Sequence, residues 1–194
     1  MRIINFVNIL FLTWFHIFPL SICTGSVITL RLDDPNESLD DLDGLKCTPT
    51  CRKTNCVVWG TKSSCNRIDH RFEIIMPENP DANKIKSGAK VALRSKSNPT
   101  QWLDCSSPDG ACSISRCVSN SADSMNASIT TCDSHFFKIF GVGRRLNRLI
   151  NTNHSIQLRH ELNDSYLNCN TGDKCRLSEC AETCEAPSFK FNIL

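Results

Sequence analysis

Along this chain, apolar residues recur at alternate positions in short bursts and never hold a helical period. Val91-x-Leu93, Ile156-x-Leu158, Phe137-x-Ile139 and Phe189-x-Phe191 each put two apolar side chains on one face. Period two over a few residues is the pattern of a half-buried strand. Between the bursts lie turn-prone pieces such as SSPDGA (106–111) and NTGDK (170–174). The pattern predicts an all-β chain of short strands.

One stretch departs from it. Arg2 precedes an almost wholly apolar run from Ile3 to Ile22, and small residues follow at Ser21, Cys23, Thr24, Gly25 and Ser26. A basic start, an apolar centre and a small-residue exit predict a secretory signal peptide over 1–25. A transmembrane anchor is the rival, because the run approaches the ~20 residues that span a bilayer. Pro19 and the small residues close the run as a cleavage region does, and no second apolar run follows. The expected mature chain is therefore a secreted, extracellular domain over 26–194, with no membrane span left.

Within it the bursts return in a fixed order. VALR (91–94) leads to Leu103-x-Cys105, Cys112-x4-Cys117, Cys132 and FKIF (137–140). IQLR (156–159) leads to YLNC (166–169), CRLSEC (175–180), Cys184 and FKFNI (189–193). A looser copy has ITLR (28–31), GLKC (44–47), CRKTNC (51–56), Cys65 and FEII (72–75). The repeats run over about 26–80, 81–145 and 146–194, with four strands expected in each. Ile85 and Ile150 stand six residues before Val91 and Ile156, and Gly88 corresponds to Asn153. Both Gly and Asn tolerate positive φ, so a tight turn is expected there.

Of the 13 cysteines, Cys23 falls in the expected leader and the other 12 divide four to a copy. They are Cys47, Cys51, Cys56 and Cys65; Cys105, Cys112, Cys117 and Cys132; and Cys169, Cys175, Cys180 and Cys184. An even number in a secreted chain reads as disulfides. Zinc is disfavoured, because no C-x2-C pair occurs. Residues five apart on a strand are separated by roughly 17 Å, too far for a bridge that needs Cα atoms within about 7 Å. Pairing across the short turns is easier: Cys47–Cys51, Cys105–Cys112 and Cys169–Cys175, leaving Cys56–Cys65, Cys117–Cys132 and Cys180–Cys184. First-to-third with second-to-fourth pairing is the alternative.

Three copies of a four-strand unit resemble the β-trefoil family in a cysteine-rich, secreted form. The resemblance implies six strands closing a short barrel and three hairpins capping it. Three separate disulfide beads are the rival, but no Gly/Ser- or Pro-rich linker divides the copies.

Asn36, Asn126, Asn153 and Asn163 each open an N-x-[S/T] sequon in an expected loop. Removing the leader's one basic residue leaves 21 − 20 = +1, which gives no electrostatic footprint for nucleic acid. His70 and His135 sit two residues before Phe72 and Phe137, and repetition at matched positions argues for a structural role. No nucleophile or acid–base pattern accompanies them or His154 and His160, so a non-enzyme without cofactor or metal is expected. The acidic run 33–43 offers Asp40, Asp41 and Asp43 to Ca2+ but lacks EF-hand spacing. Arg144, Arg145 and Arg148 are candidates for a sulfated glycan, although a solvated loop explains both runs more simply.

Many trefoils are lectins, and ricin-type members carry Q-x-W in each copy. Here Gln101 and Trp102 are adjacent and the third copy has Tyr166, so that signature is absent. Trp59, Trp102 and Tyr166 remain the aromatic candidates for ligand contact; Trp102 and Tyr166 precede Leu-x-Cys, where they are placed to cap the barrel. The expectation is a secreted, N-glycosylated binding protein for extracellular protein receptors or glycans, its own sugars open to recognition by lectins. A lectin without Q-x-W, and a protease inhibitor or secreted enzyme, are the alternatives. Four sequons, many cysteines and a composition rich in Asn, Ile, Ser and Lys are also similar to egg-secreted glycoproteins of parasitic flatworms, which would imply a host-interaction role.

Overall fold

The bursts of alternation fall on strands, the last only in part, in the computed structural model, which describes residues 20–32, 41–59, 62–63, 68–116, 133–143, 146–169, 174–180 and 184–194. The first stretch gives β1 (Val27–Leu32), β2 (Asp41–Cys47), β3 (Cys51–Trp59), the short β4 (Lys62–Ser63) and β5 (Arg71–Ile75). The second gives β6 (Ala89–Ser95), β7 (Gln101–Asp104), β8 (Ser113–Arg116) and β9 (Phe136–Gly141). The third gives β10 (Ser155–His160), β11 (Tyr166–Asn168), β12 (Arg176–Ser178) and β13 (Phe191–Ile193). Single 3-10 turns at Ile68–His70, Asp133–His135 and Pro187–Phe189 lead into β5, β9 and β13. The chain is all-β, and among the described residues no helix is long and apolar enough to cross a membrane.

The pairings, all antiparallel, close on themselves. β1 pairs with β5 and β13, β13 with β10, β10 with β9, β9 with β6, and β6 with β5. Such a circuit leaves none of its six strands with an open edge, where a foreign strand could pair. The hairpins β2–β3, β7–β8 and β11–β12 hang from it through Arg31↔Gly44, Arg94↔Trp102 and Arg159↔Tyr166. These arginines close the three matched [V/I]-x-L-R motifs.

Inside the circuit, Leu30, Leu93 and Leu158 are buried together with Phe72, Phe137 and Phe191 and with Ile74, Ile139 and Ile193. Burying a side chain of this size contributes about 1.5–3 kcal/mol each. In the third stretch Phe191 faces Leu32 and Ile156, and Ile193 faces Leu30. The strand there is Phe191-x-Ile193, while Phe189 closes the preceding 3-10 turn. The expected Phe189-x-Phe191 is therefore out of register by two residues, a slip that keeps every side chain on its own face.

Backbone hydrogen bonds join matched positions in rings of three. The Cys51 N–H donates to the Cys112 carbonyl at 2.9 Å, Cys112 to Cys175 at 2.8 Å, and Cys175 back to Cys51 at 2.9 Å. In a second ring Ile22 donates to Ile150 at 3.2 Å, Ile150 to Ile85 at 2.9 Å, and Ile85 to Ile22 at 2.9 Å. Gly25, Gly88 and Asn153, at φ +80°, +93° and +64°, donate to Ile74, Ile139 and Ile193. The turn expected at Gly88 and Asn153 thus has a third member at Gly25. Residues 20–25, read from sequence as the end of the leader, are part of the fold.

Disulfides join Cys47 to Cys51, Cys105 to Cys112, Cys169 to Cys175 and Cys180 to Cys184. Cys105 is thus joined to Cys112 rather than Cys117. The expected Cys56–Cys65 and Cys117–Cys132 pairs involve Cys65, Cys117 and Cys132, which lie outside the described residues. The four disulfides among the described residues mark an oxidising compartment, the extracellular space or the lumen of the endoplasmic reticulum.

Candidate functional site: a recess beside Tyr166

The aromatic candidates part company in the structure. Trp102 is half-buried on β7 opposite Ser115, with the Arg94 guanidinium carbon 5.5 Å from its ring centre. Arg94 is held there by a 2.8 Å ion pair to Glu73, so one side of the indole is covered. Trp59 ends β3, and its side chain lies outside the described residues. Tyr166, half-buried at the start of β11, lines an open recess of about 480 Å³.

Four separate pieces of chain build this recess. Phe140 comes from β9, Gln157 from β10, Tyr166 from β11, and Glu185 and Lys190 from the segment before β13; Cys180 and Cys184 also line it. The amide nitrogen of Gln157 donates to the Cys184 carbonyl, which ties the disulfide loop to the barrel. The Arg159 guanidinium carbon stands 5.0 Å from the centre of the Phe140 ring. Glu185 is exposed, and Lys190 is partly so. Aromatic surface beside a carboxylate, an amide and an ammonium suits a polyhydroxylated ligand. The volume falls within the roughly 300–1,000 Å³ of small-molecule sites.

A second recess, of about 470 Å³, is lined by Ser106, Pro108, His160, Leu162, Asn163 and Glu179 among others. Asn163 is exposed, and its Oδ1 accepts from the Ser165 N–H at 3.2 Å and lies 3.0 Å from His160 Nδ1. His160 Nε2 is 3.1 Å from the Ser134 carbonyl oxygen. The Asn163 oxygen is thus engaged while Nδ2, the atom a glycan joins, makes no hydrogen bond among the described residues. A sugar on Asn163 would stand at the rim of this recess. Asn153 is exposed in its turn; Asn36 and Asn126 lie outside the described residues.

Sequence reasoning missed a buried polar cluster. Ser115 Oγ donates to Asp104 Oδ2 at 2.7 Å and lies 2.9 Å from His135 Nε2. Its single proton goes to the carboxylate, so His135 Nε2–H is the donor in the second contact. The Ser106 N–H and hydroxyl also donate to Asp104, at 2.9 and 3.0 Å. The serine sits between acid and imidazole, whereas a hydrolytic triad needs the imidazole between acid and serine. The cluster is a brace joining β7, β8 and the 3-10 turn before β9. His70 is likewise buried in its 3-10 turn, where the neighbouring Asp69 pairs with Lys46 at 3.1 Å.

Burial pushes the Asp104 carboxyl up, but hydrogen bonds from Ser115 and Ser106, with the charge of His135, outweigh it and hold the group below its ordinary value. A depressed folded-state value stabilises the fold above the ordinary carboxylate range, and that contribution is lost as pH falls through the lowered value. The thermal midpoint of the chain is expected to drop below about pH 4, and that of Asp104→Asn to drop less steeply. Thermal scans between pH 7 and pH 2.5 check this; parallel profiles would remove Asp104 from the acid response.

The charged runs contribute less. Residues 33–40 lie outside the described residues, while Asp41 and Asp43 belong to β2 opposite Val57 and Asn55. Among the described residues, no three His, Cys, Asp or Glu side chains gather as metal ligands would. Arg148 is exposed, Arg144 and Arg145 lie outside the described residues, and His154 Nδ1 accepts from the Asn151 N–H at 2.9 Å.

No protein-family model and no curated protein matches the chain. Solved structures do. The SDF2-like protein from Arabidopsis thaliana is similar at a TM-score of 0.56 and 13% identity, over 90% of this chain and 95% of that one. A Caenorhabditis elegans protein of unknown function is similar at 0.52 and 13%, over 90% and 96%. At such identity the likeness is one of fold.

Proposed function

We propose that this chain is a secreted, N-glycosylated β-trefoil of three repeats that acts by binding, and that the recess beside Tyr166 holds a glycan of its extracellular partner. The closed six-strand circuit, its three hairpins and the rings through Cys51, Cys112 and Cys175 and through Ile22, Ile85 and Ile150 support the trefoil. The leader-like N-terminus, four sequons and disulfides support export. The observation that carries the binding reading is the meeting of Tyr166, Phe140, Gln157 and Glu185 at one open recess. It supplies an aromatic platform and hydrogen-bonding groups without Q-x-W.

The test is a glycan array probed with the secreted protein before and after enzymatic removal of its own N-glycans. Binding to one sugar class is expected to survive deglycosylation and to weaken tenfold or more, about 1.4 kcal/mol, in Tyr166→Ala. An unchanged circular-dichroism spectrum would show that the variant is folded. Silence on the array would refute glycan binding and leave a protein partner.

A further inference from the structure

An apolar leader hides the residue that completes the second backbone ring. Ile22 stands six residues before Ile28, as Ile85 and Ile150 stand before Val91 and Ile156. All three isoleucines are buried in the one hydrophobic core. Ile22 both donates to Ile150 and accepts from Ile85, so without it the remaining Ile150-to-Ile85 bond is an open pair.

Its neighbours are tied down as well. Ser21 bridges Asn151, and the Thr152 N–H donates to the Leu20 carbonyl at 2.8 Å. The Thr24 N–H donates to the Ala82 carbonyl at 3.1 Å, and its hydroxyl oxygen accepts from the Met76 N–H at 2.9 Å. The Gly25 N–H donates to the Ile74 carbonyl at 2.8 Å. Residues 22–25 thus contact the loop after β5, the approach to β6 and the approach to β10.

The best small-residue pairs for leader removal conflict with this packing. Ser21 with Cys23, and Cys23 with Gly25, each put two small residues before a cut, but either cut releases Ile22. Ser21 is the nearest small residue whose C-terminal bond leaves Ile22 in the chain. A cut there would turn the Ile22 N–H into an ammonium that can still donate to Ile150.

We propose that leader removal occurs at or before the Ser21–Ile22 bond, so that the mature protein keeps Ile22 as the third member of its ring and Cys23 as a thirteenth cysteine. This rests on the export reading above. Half-buried Cys23, its Sγ 3.2 Å from Ser26 Oγ, makes no disulfide within the described residues. The gap between Arg2 and Arg31 holds no lysine or arginine, so the N-terminal tryptic peptide reports the cut directly.

The full chain should be expressed in a secreting eukaryotic cell, recovered from the medium, reduced, alkylated and digested with trypsin. A terminal peptide that begins after Ile3, at or before Ile22, and carries alkylated Cys23 is the expected result. A peptide beginning after Ile22, such as Ser26–Arg31, would overturn the proposal. A chain absent from the medium and retained in the cells with the uncut tryptic peptide Ile3–Arg31 would overturn the export reading, and the boundary with it, so the two failures are distinguishable. Ile22→Ala in the full chain is expected to lower the thermal midpoint by roughly 5–15 °C, the cost of a large-to-small core change in a domain of this size. If that variant is not secreted, Ile22→Val gives the milder reading, a loss of roughly 1–5 °C. An unchanged midpoint in a secreted variant would refute a core role for Ile22.

Discussion

Replacing Cys105 and Cys112 together by alanine is expected to lower the unfolding free energy by about 2–4 kcal/mol, measured by guanidinium titration of the purified protein. Loop closure alone argues for the lower end, because the bridged cysteines are only 7 residues apart. Burial argues for more. Both residues are in the hydrophobic core, so removing the sulfurs opens a void that the surrounding barrel can close only in part. The Cys112 backbone is also a member of the ring that joins it to Cys51 and Cys175. The control is Cys180→Ala with Cys184→Ala, a bridge that closes a shorter loop and is only half-buried. That pair is expected to cost less in the same titration. Equal losses would show that loop closure, and not core burial, sets the value of these bridges.

Why these bridges should differ follows from where the chain places them. Cys47, Cys105 and Cys169 end the Leu-x-Cys motifs, and Cys51, Cys112 and Cys175 open the next strand or stand immediately before it. The bridge therefore closes each hairpin turn where it enters the core. Cys180–Cys184 instead follows β12 and frames the Tyr166 recess. Its loss is expected to be felt by a ligand more than by the fold.

Much of the barrel was legible in the sequence because its signals are local. Leu30, Leu93 and Leu158 occupy the same place in three short motifs, and all three are buried. Gly88 and Asn153 share a need for positive φ that only a few residue types meet. Ile22 was not legible for the opposite reason. Ile22 ends a mostly apolar run that reads as a leader, so its six-residue spacing before Ile28 did not mark it out as a core position. Phe189 and Phe191 were confused because a two-residue shift preserves the alternation on which the reading rested.

The recess and the polar brace were hidden by distance along the chain. Asp104, Ser115 and His135 are joined only when β7, β8 and the turn before β9 pack together. Phe140, Gln157, Tyr166 and Glu185 come from four segments, and only Tyr166 could be singled out beforehand, as an aromatic in an aligned position. Strand pairing reads as pattern; a site assembled across pairings does not.

Phe137→Ala is expected to cost about 3–5 kcal/mol. The side chain is wholly buried on β9, opposite Val91 of β6 on one side and His160 of β10 on the other. It meets the His160 ring edge-on, with centroids 5.5 Å apart and planes inclined at 64°. Truncation would open a void between two strand seams of the closed circuit, and a circuit can collapse inward at one point only by straining its other pairings. Phe136, next in sequence, points to the opposite face, is buried outside the main core cluster, and has Lys90 Nζ 4.6 Å from its ring centre. Lysine can relax over the gap left by that ring, so Phe136→Ala is expected to cost clearly less. Guanidinium titration of the two variants separates the outcomes. A larger loss at Phe136 would mean that β9 is read with the wrong face inward, and the register shared by Phe72, Phe137 and Phe191 would fall with it.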